Sequence, residues 1–157
     1  MLDKVSEWLV RIGAAGLVIM TGIIGWQVFG RFVLNSSPSW SEPAALILMI
    51  WYVLFAAAAG VREGFHIRIA LLENMSSPSR ARIVRLGIHL LVALFGAVLL
   101  VFGTELAWLV RGNVIPGLGI SRGFAYLPLP FSGLLMMVFA LAHARNEWRT
   151  APAGGAE

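Results

Sequence analysis

Cysteine is absent from the 157 residues. Disulfide frameworks, thiolate zinc sites, iron–sulfur clusters and cysteine nucleophiles are therefore excluded. Charge is scarce as well. Charged residues make up 13% of the chain and hydrophobic ones 59%, where soluble domains carry about 25% charged residues. This is too apolar for an ordinary soluble domain, and the length allows one domain at most. Catalytic signatures are also missing. Gly-x-Ser-x-Gly, His-Glu-x-x-His and phosphate-binding loops do not occur. Ser36, Ser37, Ser39 and Ser41 cluster in one turn, where backbone capping accounts for them. No enzyme, metal site or cofactor is expected. The net charge of +4 does not indicate nucleic acid, because the basic residues are spread between apolar stretches. No internal repeat is visible, which weighs against an inverted-repeat transporter complete in this chain.

What the chain does have is long apolar runs. A spanning helix needs about 20 mostly apolar residues. Four stretches qualify, at about 5–34, 42–62, 78–111 and 124–146, within a single membrane domain over 1–149. The first has no ionisable group between Arg11 and Arg31. It is longer than a signal-peptide core and no Ala-x-Ala-like site follows it, so it reads as a retained helix. Ser41 is the expected N-cap of the second, with Pro43 in the first turn. The third opens on Ser77-Pro78 and is longer than the bilayer requires. Arg82, Arg85 and His89 share one face of its first turns. Pro128 and Pro130 leave two starts open for the fourth, near Pro128 or near Gly123 with a bend.

The fold class is thus an all-α integral membrane protein with four transmembrane helices. Four crossings put both termini on one side, with the segment between helices 2 and 3. That side holds nine of the 12 basic residues, and Arg31, Arg111 and Arg122 lie on the other. The bias predicts both termini in the cytoplasm. Between helices 2 and 3, Ile67, Ile69, Leu71, Leu72 and Met75 alternate with polar residues. This segment is expected either as an amphipathic helix on the membrane surface or as a connector with buried apolar residues. Arg111 to Gly123 is a Gly/Pro-rich loop, expected to be irregular. Residues 150–157 are expected as a disordered tail. Trp8, Trp26, Trp40, Trp108, Tyr126 and Trp148 fall near the membrane interfaces, whereas Trp51 and Tyr52 lie deeper and should face protein.

The helix centres are nearly empty of ionisable groups, which carriers and pumps keep there for ions or substrates. Glu105 is the one acid inside a span. It is expected to snorkel or pair locally, with a proton or cation site as the other reading. His89 and His143 lie at similar depth on two helices, so a haem-bearing anchor of a respiratory enzyme is the alternative function. Gln27, Arg31, Asn35, Trp40 and Glu42 gather at the far membrane edge. Arg31 and Glu42 are expected to form an ion pair or to shape a docking surface. Small-x-x-x-small spacing at Ala56/Gly60, Ala93/Ala97 and Gly103/Ala107 allows close helix packing.

At the membrane edges the residues resemble a known family. Trp26-Gln27-Val28-Phe29-Gly30-Arg31-Phe32-Val33-Leu34-Asn35, followed by Ser39-Trp40-Ser41-Glu42, resembles the end of helix 1 and the next turn in small permease subunits of tripartite ATP-independent periplasmic (TRAP) transporters. Arg62-Glu63-Gly64-Phe65-His66-Ile67-Arg68-Ile69 resembles that family's motif after helix 2. Tyr126-Leu127-Pro128-Leu129-Pro130, with Gly133, resembles the start of its helix 4. Pro43, Phe65 and Ala70 depart from residues common there. The resemblance implies a non-catalytic scaffold in a bacterial inner membrane, embedded in lipid. Its implied partners are a large TRAP permease subunit, which holds the sodium and substrate sites, and a periplasmic substrate-binding protein. The implied activity of the assembly is sodium-driven uptake of an organic acid. Gln27, Arg31, Trp40, Glu42, Arg62 and His66 are the expected structural or partner-contact residues.

Overall fold

The structure is a computed structural model that describes residues 2–36, 38–63 and 78–149. It is all-α, with α1 (Leu2–Phe32), α2 (Ser41–Glu63), α3 (Pro78–Leu109), α4 (Arg122–Tyr126) and α5 (Pro128–Arg149). Among the described residues, four helical stretches are long and apolar enough to cross a membrane: Lys4–Phe32, Ser41–Glu63, Arg82–Leu109 and Arg122–Arg149. His66 and the rest of residues 64–77, where a surface helix was one expectation, lie outside the described residues, as does the tail at 150–157.

Each element starts and stops for a local reason. Beyond α1, Asn35 turns the chain with a left-handed φ of 49°, a conformation asparagine tolerates better than most residues. The Ser36 amide then reaches back to the Gly30 carbonyl at 3.0 Å. Ser41 does not cap α2 as expected. It is its first residue and fully buried, and its hydroxyl donates to the Pro38 carbonyl at 2.8 Å. Both expected starts of the last span are used. Ser121 caps α4 by accepting from the Gly123 amide at 3.2 Å. One residue after α4, Pro128 opens α5. Pro128 and Pro130 have no N–H to donate, so the helical ladder is interrupted there.

The helices pack as a row in the order α1, α2, α5, α3. The main packing of α1 is on α2, of α2 on α1 and α5, and of α3 on α5 and α4. Gly13 and Gly16 let α1 lie against Tyr52 of α2, where a Cβ on Gly16 would meet the Tyr52 Cβ at 3.2 Å. The closest crossing joins α3 to α5. A Cβ on Gly96 would stand 2.7 Å from the Gly133 carbonyl oxygen, and one on Gly133 would stand 2.6 Å from that of Gly96. Two backbones in direct contact gain dispersion and exclude lipid, the usual source of cohesion where no hydrophobic effect separates helix from solvent. The core lies where α2, α3 and α5 meet the start of α1. It holds Leu9, Ala58, Ala59, Val61, Ala93, Met136, Phe139 and Ala140. Trp51, deeper than the other tryptophans, faces protein as expected, with its ring centroid 5.0 Å from that of Phe124.

Candidate functional site

The described spans hold no ionisable group near mid-depth, and polar and aromatic side chains gather at the two membrane-edge ends of the bundle. One end holds the α1–α2 turn and the α3–α4 connection. That connection is not irregular. Val114 and Ser121 form an antiparallel bridge. The Ile115 amide donates to Ile120 at 2.9 Å and the Arg122 amide to Asn113 at 2.7 Å. The result is a small hairpin over residues 113–122. Gly117 and Gly119 turn it, with φ of 83° and 68°, values that glycine adopts without steric cost.

The hairpin tip rests on the α1–α2 turn. A Cβ on Gly117 would lie 2.6 Å from the Ser39 carbonyl oxygen and 3.3 Å from the Trp40 Cα. The hairpin base is tied to the end of α3, where the Ser121 hydroxyl donates to the Arg111 carbonyl at 2.6 Å. Arg111 itself lies over the Trp108 indole, 3.4 Å from the ring centroid. Two loops far apart in sequence thus form one continuous surface.

Gln27, Arg31, Trp40 and Glu42 all lie at this end. Gln27 is half-buried on α1, and the other three are exposed. Arg31 ends α1 and Glu42 begins α2. The expected ion pair between them does not form among the described residues. Each side chain stays in the solvated edge, where a pair gains little. Glu42 sits instead in the first turn of α2, where a carboxylate suits the helix dipole.

The opposite end carries the termini and a set of contacts that sequence reading missed. The imidazoles of His89 and His143 stack with centroids 5.4 Å apart and planes 8° from parallel. His143 Nε2–H donates to the Arg62 carbonyl at 2.9 Å and so ties α5 to the last turn of α2. One turn further out, Arg85 meets Glu147 at 3.1 Å. Arg82 donates to the Trp148 carbonyl at 3.2 Å. Arg62, one of the expected structural or partner-contact residues, meets His143 here through its backbone carbonyl.

The histidine pair does not fit a haem. Two axial histidines point ring nitrogens at the iron from opposite faces of the macrocycle. Here the rings lie face to face, with no room for a porphyrin between them, and His143 Nε2 is committed to Arg62.

A family model described as "Tripartite ATP-independent periplasmic transporters, DctQ component" matches residues 20–150. The sialic acid TRAP transporter small permease protein SiaQ of Vibrio cholerae is 29% identical over 140 residues, covering 87% of this chain and 77% of that protein. The C4-dicarboxylate TRAP transporter small permease protein DctQ of Rhodobacter capsulatus is 31% identical over 100 residues, 62% of this chain and 44% of that protein. The protein of the same name in Vibrio cholerae is 26% identical over 106 residues, 68% of this chain and again 44% of that protein. The chain therefore spans less than half the length of either C4-dicarboxylate relative.

Proposed function

The chain belongs to the family of DctQ components of tripartite ATP-independent periplasmic transporters, and we propose that it is the scaffold on which the moving parts of such a transporter assemble. It is a multi-pass protein of the bacterial inner membrane and a non-catalytic transport subunit. In the proposed arrangement both termini lie in the cytoplasm, as the distribution of basic residues favours. The α1–α2 turn and the 113–122 hairpin then face the periplasm. There they offer a rigid surface, with Arg31, Trp40 and Glu42 exposed on it, to a soluble substrate-binding protein. A large permease subunit packs beside the row and carries the sodium and substrate sites. The cargo is an organic acid, a class to which both sialic acid and the C4-dicarboxylates of the relatives' names belong.

One observation carries this reading. The four spans have no ionisable group near mid-depth, while polar and aromatic residues crowd both edges. Coupled transport needs charged or polar groups within the membrane. A chain without them supports transport without performing the ion chemistry.

The test is co-purification. Tagged and co-expressed with its transporter partners, this chain should bring down a much larger membrane protein in mild detergent. Recovery of the small chain alone would sink the scaffold reading. Reconstituted alone in liposomes, it should catalyse no uptake.

A further inference from the structure

Glu105 stands apart from every other acid in the described helices. Glu7, Glu42, Glu63 and Glu147 lie in or near the first or last turns of their helices. Glu105 lies within α3, roughly one turn to the interior side of Trp108 and two turns before Arg111. Its side chain is exposed and, among the described residues, makes no hydrogen bond or ion pair. The groups near it are otherwise engaged. The Arg111 guanidinium lies on Trp108, and the Thr104 hydroxyl donates to the Leu100 carbonyl at 2.6 Å.

Snorkelling does not relieve this acid. In a helix every Cα–Cβ bond tilts toward the N-terminus. The N-terminus of α3 is at the opposite membrane surface, so the Cα–Cβ bond of Glu105 leans back toward the middle of the span. Long basic side chains can reverse such a tilt, but a two-carbon stem reaches less far. Ionisable groups in spans face protein or water, because exposure to lipid is costly.

Among the described residues, nothing covers the face around Glu105. The opposite side of α3, with Ala93, Gly96, Gly103 and Ala107, is buried. Val101, Phe102, Trp108 and Leu109 are exposed beside the acid, and α3 is the last helix of the row.

We propose that the face of α3 centred on Glu105 is where a membrane helix of the large transporter subunit packs, presenting a lysine or arginine to this carboxylate. This rests on the reading of the chain as a subunit of a larger transporter. It adds the helix face and the chemistry of the contact.

The chain has no cysteine, so single thiols can be placed at Phe102→Cys and Leu109→Cys in the co-expressed complex. A maleimide–benzophenone at either position should crosslink to the large subunit in native membranes. In parallel, E105K should lower recovery of the large subunit on the tagged chain by roughly tenfold or more, and E105Q by less. Crosslinking to lipid alone from both positions overturns the proposal. So does wild-type recovery with E105K. The wild-type co-purification separates the two ideas: if the large subunit is recovered but these results fail, the assembly reading stands and this contact falls. If it is not recovered at all, both fall.

Discussion

His143 lies between two partners, stacked on His89 at 5.4 Å and bonded through Nε2 to the Arg62 carbonyl at 2.9 Å. One side chain on α5 therefore links α3 and α2 at the end of the bundle where α1 begins and α5 ends. His143→Ala removes a hydrogen bond and a ring contact, about 1–2 kcal/mol together. In a domain of this size that lowers the melting temperature by roughly 2–8 °C, measurable by thermal unfolding in detergent. The wild-type protein should show no Soret band. A Soret band lost in this variant would restore the haem reading.

The α3–α5 crossing should tolerate no side chain at its centre. Gly96→Ala or Gly133→Ala drives a methyl into a carbonyl oxygen of the facing helix, and overpacking of this kind costs about 1–3 kcal/mol. Gly87 provides the control, since a Cβ there meets nothing within 4 Å. Gly87→Ala should be neutral or stabilising by about 0.5–1 kcal/mol from helix propensity. Equal melting temperatures for all three variants would contradict the close approach.

At the other end, Gly117→Ala combines a left-handed φ with a clash against the Ser39 carbonyl. The cost is about 1–3 kcal/mol, paid by the hairpin rather than the spans. Helical circular dichroism and recovery with the large subunit should be unchanged. Uptake in a reconstituted three-component system should fall, because the hairpin no longer rests on the turn that bears Trp40. Gly112→Ala, open in space and without a positive φ, should leave uptake at the wild-type rate.

Arg85 and Glu147 are only partly exposed, so their pair should be measurable although surface pairs often are not. A double-mutant cycle with Arg85→Gln and Glu147→Gln should give a coupling of about 0.5–1 kcal/mol. Additive losses in melting temperature would show that the pair contributes nothing.

Much of this molecule could be read before any coordinates, because membranes impose simple rules. Apolar run length gives the four spans, and the all-α class follows because a bilayer leaves no other way to satisfy the backbone of such stretches. The family showed in short motifs at the membrane edges, around Arg31, Glu42 and Pro128. The order of the row did not show. Residues that face lipid and residues that face a neighbouring helix have nearly the same composition, so nothing local distinguishes the buried Ala58 from the exposed Ala56. The His143–Arg62 and Arg85–Glu147 contacts join residues more than sixty positions apart, beyond the reach of any spacing rule. The hairpin had a signal in Pro116-Gly117 and Gly119, which mark a turn, but its pairing depends on backbone amides that carry no sequence signature. Arg31 and Glu42 were expected to pair or to shape a docking surface; they do not pair among the described residues, and solvent at the edge removes the incentive.

The row order also bears on how the protein is made. Among the described helices, α5 comes after the others in sequence and packs between α2 and α3. Until it emerges from the ribosome, the membrane holds an α1–α2 hairpin and an α3 whose main partner does not yet exist. Domains of a growing chain settle from the N-terminus onward, yet here α5 joins pieces that were made before it. A chain halted before Arg122 would hold two separate pieces, with Gly96 and Gly103 of α3 bare where α5 would lie.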